Sequence, residues 1–304
     1  MRPTRLLLLA GTAEALQLAH LLAADQGIEV VASFAGRTRA PATFPCPTRI
    51  GGFGGVEGLV RELRRGAYDL LVDATHPFAS CMPGHAADAA TIAGIPRLRL
   101  LRPGWRPGPS DRWDEVETLD AAASRLEETG ARRVLLTTGR QELMPFAGLV
   151  DTHFVVRSID PPGPLPLADA ISIVARPPFS VETETELLRS HRIDTLVTKN
   201  SGGDRAKLVA ARKEGVAIVM VRRPAGVAGP HVTTAPEALR WIRLTPPGEP
   251  PRSMVPTPRP SWGGDGPRHQ CPRQQGPGRQ GPGRQGPRQG TRSATRNKVH
   301  DKEP

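Results

Sequence analysis

A chain of 304 residues with 38% hydrophobic residues is large enough for two packed domains, and too polar overall for a membrane-embedded bundle. The net charge of +11 is not a property of the whole chain: residues 249–304 hold eleven of the 41 basic and four of the 30 acidic residues, hence +7, leaving +4 for 1–248. The basic balance therefore gives no reason to expect nucleic-acid binding by the folded part, and three cysteines without C-x-x-C spacing give none for a cysteine-rich zinc site.

The chain opens on an apolar run, Leu6 to Ala10, followed at once by Gly11-Thr12-Ala13-Glu14. A signal peptide needs about 7–15 apolar residues and a spanning helix about 20, so the run reads as a buried strand and the protein as cytoplasmic. A helix through about Ala24 follows. The same unit recurs down the chain. Leu70–Val72 leads into Asp73-Ala74-Thr75-His76-Pro77 and a helix through about Ala93. Val134–Leu136 leads into Thr137-Thr138-Gly139-Arg140. Thr195–Val197 leads into Thr198-Lys199-Asn200-Ser201-Gly202-Gly203 and a helix over about 204–214. Ile28–Phe34 and Val216–Val221 are further strands, and Pro236–Arg243 is a final helix free to pack on either half. These strands are continuous rather than alternating, which predicts parallel sheets buried on both faces. The fold class is therefore α/β: two Rossmann-like doubly wound units with mainly parallel sheets.

The boundary falls in the Pro-, Gly-, Arg- and Trp-rich stretch 102–113. The first unit is 1–102, a dinucleotide-binding domain, and the second is 103–248. The remainder, 249–304, has too few apolar residues to offset ordering entropy and reads as a disordered Pro/Gly/Arg/Gln-rich tail.

In open α/β sheets ligands bind beyond the carboxyl ends of strands, so the loops carry the chemistry. Gly11 permits a tight turn, and Thr12 with the amides of the helix start can hold phosphate oxygens; Thr12 serves equally well as a plain N-cap, and no G-x-G-x-x-G is present. After the second strand come Gly36, Arg37 and Thr38, with no acid. An arginine there suits a 2′-phosphate, so the cofactor is expected to be NADPH. Four glycines between Gly51 and Gly55, Gly52 among them, suit close backbone approach or a simple surface loop. Asp73, Thr75 and His76 put an acid, a hydroxyl and an imidazole after a buried strand; as a proton donor or as hydrogen-bonded structure, His76 is the distinctive residue. Thr138, Gly139, Arg140, Arg176, Lys199, Ser201 and Gly202 supply hydroxyls, turns and cations suited to carboxylates. No G-x-S-x-G, H-E-x-x-H or P-loop appears, and no histidine has a partner at metal-ligand spacing.

Taken in order, Gly11-Thr12-Ala13-Glu14, Gly36-Arg37, Asp73-Ala74-Thr75-His76-Pro77-Phe78-Ala79, Thr138-Gly139-Arg140, Pro178-Phe179-Ser180 and Thr198-Lys199-Asn200-Ser201-Gly202 resemble the precorrin-6A reductase family over about residues 5–245. The resemblance implies a site between two Rossmann-like domains. It implies hydride transfer from a reduced nicotinamide to a macrocyclic double bond of precorrin-6A, giving precorrin-6B in cobalamin biosynthesis. On that reading Gly11, Thr12, Glu14, Gly36, Arg37, Thr38, Gly52 and Thr75 line the cofactor. Asp73, His76 and Lys199 are the catalytic candidates, and Thr138, Gly139, Arg140, Arg176, Ser201 and Gly202 meet the substrate. The partners implied are a tetrapyrrole and, through contacts, other enzymes of the pathway, with no membrane and no metal of the protein's own. Two departures stand out: Ala10 occupies a position that is glycine in the family, and Pro177 precedes Pro178-Phe179 where the family has Gly-Pro-Phe. The alternatives are a cobalt-precorrin-6A reductase using NADH, and a non-catalytic nucleotide-binding protein whose basic tail contacts nucleic acid. A Tyr-x-x-x-Lys dehydrogenase is excluded, because the one tyrosine, Tyr68, is followed four residues on by Val72.

Overall fold

A computed structural model describes residues 2–36 and 43–246. The leading apolar run becomes β1 (Thr4–Ala10). Thr12 caps α1 (Ala13–Ala23), accepting the Ala15 N–H in its first turn. Next come β2 (Ile28–Phe34), β3 (Thr48–Ile50), α2 (Val56–Arg65), β4 (Leu70–Ala74), α3 (Met82–Ala93) and β5 (Arg97–Leu100). After the linker follow β6 (Trp113–Val116), α4 (Leu119–Thr129), β7 (Arg133–Leu136), β8 (His153–Ser158), β9 (Asp169–Val174), α5 (Val181–Ser190), β10 (Thr195–Lys199), α6 (Ala206–Lys213) and β11 (Ala217–Val221). The described chain closes with β12 (His231–Val232) and α7 (Ala235–Leu244).

Among the described residues, every pairing between strands is parallel. The continuous apolar runs explain why. In β1, Leu6 and Leu8 enter a core shared with α1 and α7, while Leu7 and Leu9 enter another shared with α2 and α3. In β10, Val197 and Leu196 likewise serve the two faces of the second sheet. Burying a Leu side chain contributes about 1.5–3 kcal/mol, so two covered faces make each strand a major contributor to stability.

The two sheets share one strand order. The first runs β3-β2-β1-β4-β5-β12 and the second β9-β8-β7-β10-β11-β6. Both follow the doubly wound 3-2-1-4-5-6 pattern. The order reverses between β1 and β4 in one and between β7 and β10 in the other. In each, the sixth place goes to a strand from outside the consecutive run.

That arrangement corrects the expected extent of the second unit, 103–248. β12 pairs with β5, and the buried residues Ala235, Ala238, Trp241 and Ile242 of α7 join the first sheet's core against α1. The segment after β11 thus returns to the first half. A second difference follows β7. The repeated unit predicts a helix there, but the chain makes only a 3₁₀ turn, Met144–Phe146.

Candidate active site at two facing switch points

The loops after β1 and β4 touch. A Cβ on Gly11 would come 3.2 Å from the His76 backbone nitrogen. The Thr12 hydroxyl donates to the Ala74 carbonyl at 3.1 Å while capping α1. Thr12 is therefore an N-cap that also ties the two loops together.

Asp73 is fully committed inside the protein. One carboxylate oxygen accepts from the Thr75 amide (3.1 Å) and hydroxyl (2.6 Å). The other accepts from Arg99 Nη1 at 3.1 Å, in an ion pair whose side chains are 0% and 8% exposed. This pair shapes the loop that carries Thr75 and His76. Arg99 lies on β5, where burial holds the neighbouring Arg97 guanidinium below its usual pKa.

His76 is exposed as a residue and lies within electrostatic reach of Lys199, Lys207 and Arg223 of the other half. Its Nδ1 accepts from the Phe78 N–H at 3.3 Å, which leaves the proton of the neutral ring on Nε2. Desolvation by the surrounding loops, and then the charges of Arg102, Lys199, Arg223 and Lys207, lower the imidazole to about 4. At neutral pH it is an uncharged hydrogen-bond donor. Phe78, two residues on, packs against the second sheet's core and lies under Lys199 Nζ, 5.3 Å from the ring centroid.

The switch point of the second half faces it. Lys199, at the end of β10, pairs with Glu142 of the loop after β7. Thr138 is buried, and its Oγ1 has no hydrogen-bond partner among the described residues. Gly139 turns at φ +102°. Lys207, in the first turn of α6, reaches back to the strand ends. Its Nζ donates to Thr198 Oγ1 at 2.6 Å and Thr137 Oγ1 at 3.3 Å, 5.0 Å from the Trp105 ring centroid.

The halves are stitched at this seam. Arg102 donates to Glu14 at 2.9 Å and to the Ser201 carbonyl at 2.7 Å. Arg223 donates to the carbonyls of Asn200, Arg102 and Pro103. Gly202, at φ +68°, passes so close to the linker that a Cβ would lie 2.0 Å from the Pro103 oxygen. Its glycine is required by the joint.

The structure thus brings together Gly11, Thr12, Glu14, Asp73, Thr75, His76, Lys199, Ser201 and Gly202. It places other expected residues elsewhere. Gly52 is exposed beyond β3, two strands from the first switch point. Arg140 donates to the Pro161 carbonyl, and Arg176 pairs with Asp160 at 2.9 Å, so both brace the loop after β8. Gly36, two residues beyond β2, has φ +77°, and Arg37 and Thr38 lie outside the described residues. Among the described residues, no group of three metal-ligating side chains is present, and no helix is long and apolar enough to cross a membrane.

Lys207, Arg99, Arg102 and Arg223 were not legible as site residues. Lys207 sits in an ordinary helical stretch, and only the strand order brings it to the seam. Arg97 and Arg99 alternate with Leu98 and Leu100, the pattern of a half-exposed strand; β12 and Asp73 cover them instead.

Two doubly wound sheets, joined so that their switch points meet in a cation-rich seam, define a Rossmann-like α/β protein with a candidate site between the halves. The chain belongs to the precorrin-6x reductase family CbiJ/CobK, whose model matches residues 5–243. It is 46% identical to the precorrin-6A reductase of Rhodobacter capsulatus over 242 residues, covering 79% of this chain and 96% of that one. The precorrin-6A reductase of Rhodococcus erythropolis is 48% identical over 223 residues, 73% and 90% of the two chains. A solved CobK precorrin-6A reductase superposes with a TM-score of 0.75 at 46% identity, over 79% of this chain and 96% of that one. The protein is accordingly an oxidoreductase that works with a nicotinamide cofactor.

Proposed function

We propose that the chain reduces precorrin-6A to precorrin-6B in cobalamin biosynthesis and that its cofactor is NADPH. The observation that carries this reading is the seam, where a neutral His76 on one half sits in the positive field of Lys199, Lys207, Arg102 and Arg223. A large, flat polycarboxylate is the substrate class such a field suits. The chain covers 96% of the Rhodobacter precorrin-6A reductase, which supports carrying that activity across.

The cofactor fits the first half. Gly11 brings the β1 loop against the β4 loop without a side chain between them, and α1 begins there, as a dinucleotide phosphate requires. Glu14 would repel that phosphate, but its charge is already met by Arg102. Gly36 follows the end of β2, where the adenosine ribose would lie, and the next residue in sequence, Arg37, would meet a 2′-phosphate. When bound, the reduced nicotinamide supplies the hydride. The chain's own residues position both partners. Asp73 acts through Thr75 and Arg99 to fix the loop; His76 Nε2 offers a hydrogen bond; Lys199 anchors a carboxylate once Glu142 yields it.

Titration of the purified protein with NADPH and NADH, repeated on Arg37→Ala, tests the cofactor. The expected result is a preference for NADPH that collapses in the variant. Binding of neither nucleotide, with or without a tetrapyrrole, overturns the reading. Equal or better use of NADH with a cobalt-containing precorrin would instead assign the cobalt form of the reaction.

A further inference from the structure

We infer that Lys207 is the proton donor of this reduction, acting from the second half on the face of the macrocycle turned toward it. The inference rests on the reductase reading. Reducing the ring double bond takes a hydride at one carbon and a proton at the other. The hydride and its electron pair are the cofactor's contribution. For the proton, the obvious imidazole of the chain is unsuited. His76 is neutral at working pH, and a neutral ring N–H is a very weak acid.

Lys207 can supply what His76 cannot. It stands at the second switch point, near enough to His76 for its charge to lower the imidazole. Among the described residues, no carboxylate forms a salt bridge with it. Its hydrogen-bond partners are two hydroxyls, Thr198 Oγ1 at 2.6 Å and Thr137 Oγ1 at 3.3 Å. A carboxylate would lock the ammonium form. A hydroxyl accepts from an ammonium and donates to a neutral amine, so this pair holds the group before and after proton transfer. An ammonium has three N–H donors, and these two bonds leave one for substrate. The location at a helix N-terminus opposes a positive charge, which makes the group readier to give up its proton.

The charges around it agree. Arg157 on β8 and Arg102 on the linker disfavour the ammonium, Glu184 on α5 and Asp204 before α6 favour it, and burial outweighs them all, bringing the group to about 7. In the step, one N–H bond of Lys207 breaks and a C–H bond forms at the carbon next to the one that takes the hydride. The neutral amine then regains a proton from solvent.

The test compares wild type, Lys207→Met and Lys207→Arg in the full chain, with precorrin-6A and each reduced nicotinamide. Both variants are expected to lose about 10²–10⁴-fold in kcat, because arginine keeps the charge but does not release a proton. Cofactor affinity should be unchanged. The wild-type rate should fall as pH rises through the Lys207 titration, and that alkaline limb should vanish in both variants. Trace acetylation of the wild-type protein, without cofactor, should give the Lys207 amine a reactivity midpoint well below that of ordinary lysines. Recovery of activity by Lys207→Arg to within tenfold of wild type would overturn the inference and leave Lys207 a carboxylate anchor. So would an acetylation midpoint in the ordinary lysine range, a result that needs no variant to fold. If wild type oxidises neither nicotinamide in the presence of precorrin-6A, the reductase reading itself fails, a different outcome from either.

Discussion

The two halves use one strand order and furnish its turning point differently. In the first half the switch point is built of backbone and neutralised groups: Gly11 against His76, Thr12 on Ala74, Asp73 paired with Arg99, Glu14 paired with Arg102. In the second it is built of cations and hydroxyls: Lys199, Lys207, Thr137, Thr138 and Thr198. Strand order therefore fixes where a ligand sits, and the loop residues fix which chemistry it meets. A smooth backbone surface suits a nucleotide, and a cationic one suits carboxylates.

This contrast can be broken on either side. The largest effect is expected from Asp73→Ala, which strands Arg99 as a buried, unpaired charge; about 3–5 kcal/mol of stability should be lost, read as a lower urea midpoint. Removing Asp114 from its exposed pair with Arg125 should cost no more than about 1 kcal/mol in the same assay. Next is a matched pair of glycines. Gly202→Ala meets both a left-handed φ and the Pro103 oxygen, and should cost about 2–4 kcal/mol. Gly11→Ala, with an ordinary φ and a 3.2 Å contact, should cost clearly less stability while weakening nucleotide binding.

His76 sharpens the contrast through pH. Its folded pKa, about 4, lies below the ordinary 6.5. The unfolded chain therefore takes up the proton first as pH falls. Stability should decline from about pH 6.5 down to about 4 and level off below, and His76→Ala should flatten that slope. An NMR titration of the ring should show the low value in the free protein and a rise when a polyanionic ligand offsets the surrounding cations. Activity of His76→Ala should fall less than about tenfold, since a neutral imidazole is not the acid. The smallest effect is expected from deleting 249–304, beyond the family match at 5–243. Turnover should change by less than about twofold, and a large salt-sensitive loss of ligand binding would contradict this.

Much of this molecule was legible residue by residue. Leu6–Leu9, Leu70–Val72, Val134–Leu136 and Thr195–Val197 announced buried parallel strands because a strand covered on both faces has no polar side to show. The loops that follow them announced the site, because the carboxyl ends of such strands collect ligands. The sequence by itself also determined that the basic excess is local to 249–304. Tertiary structure alone decided the rest. A two-residue strand such as His231–Val232 carries no period to detect, so its return to the first sheet, with α7, depends on the open edge of β5 and the α1 surface. Likewise Lys207 looks like any helical lysine until β7 and β10 are placed side by side, since a cation's role is set by the distant groups that surround it and not by its neighbours in the chain.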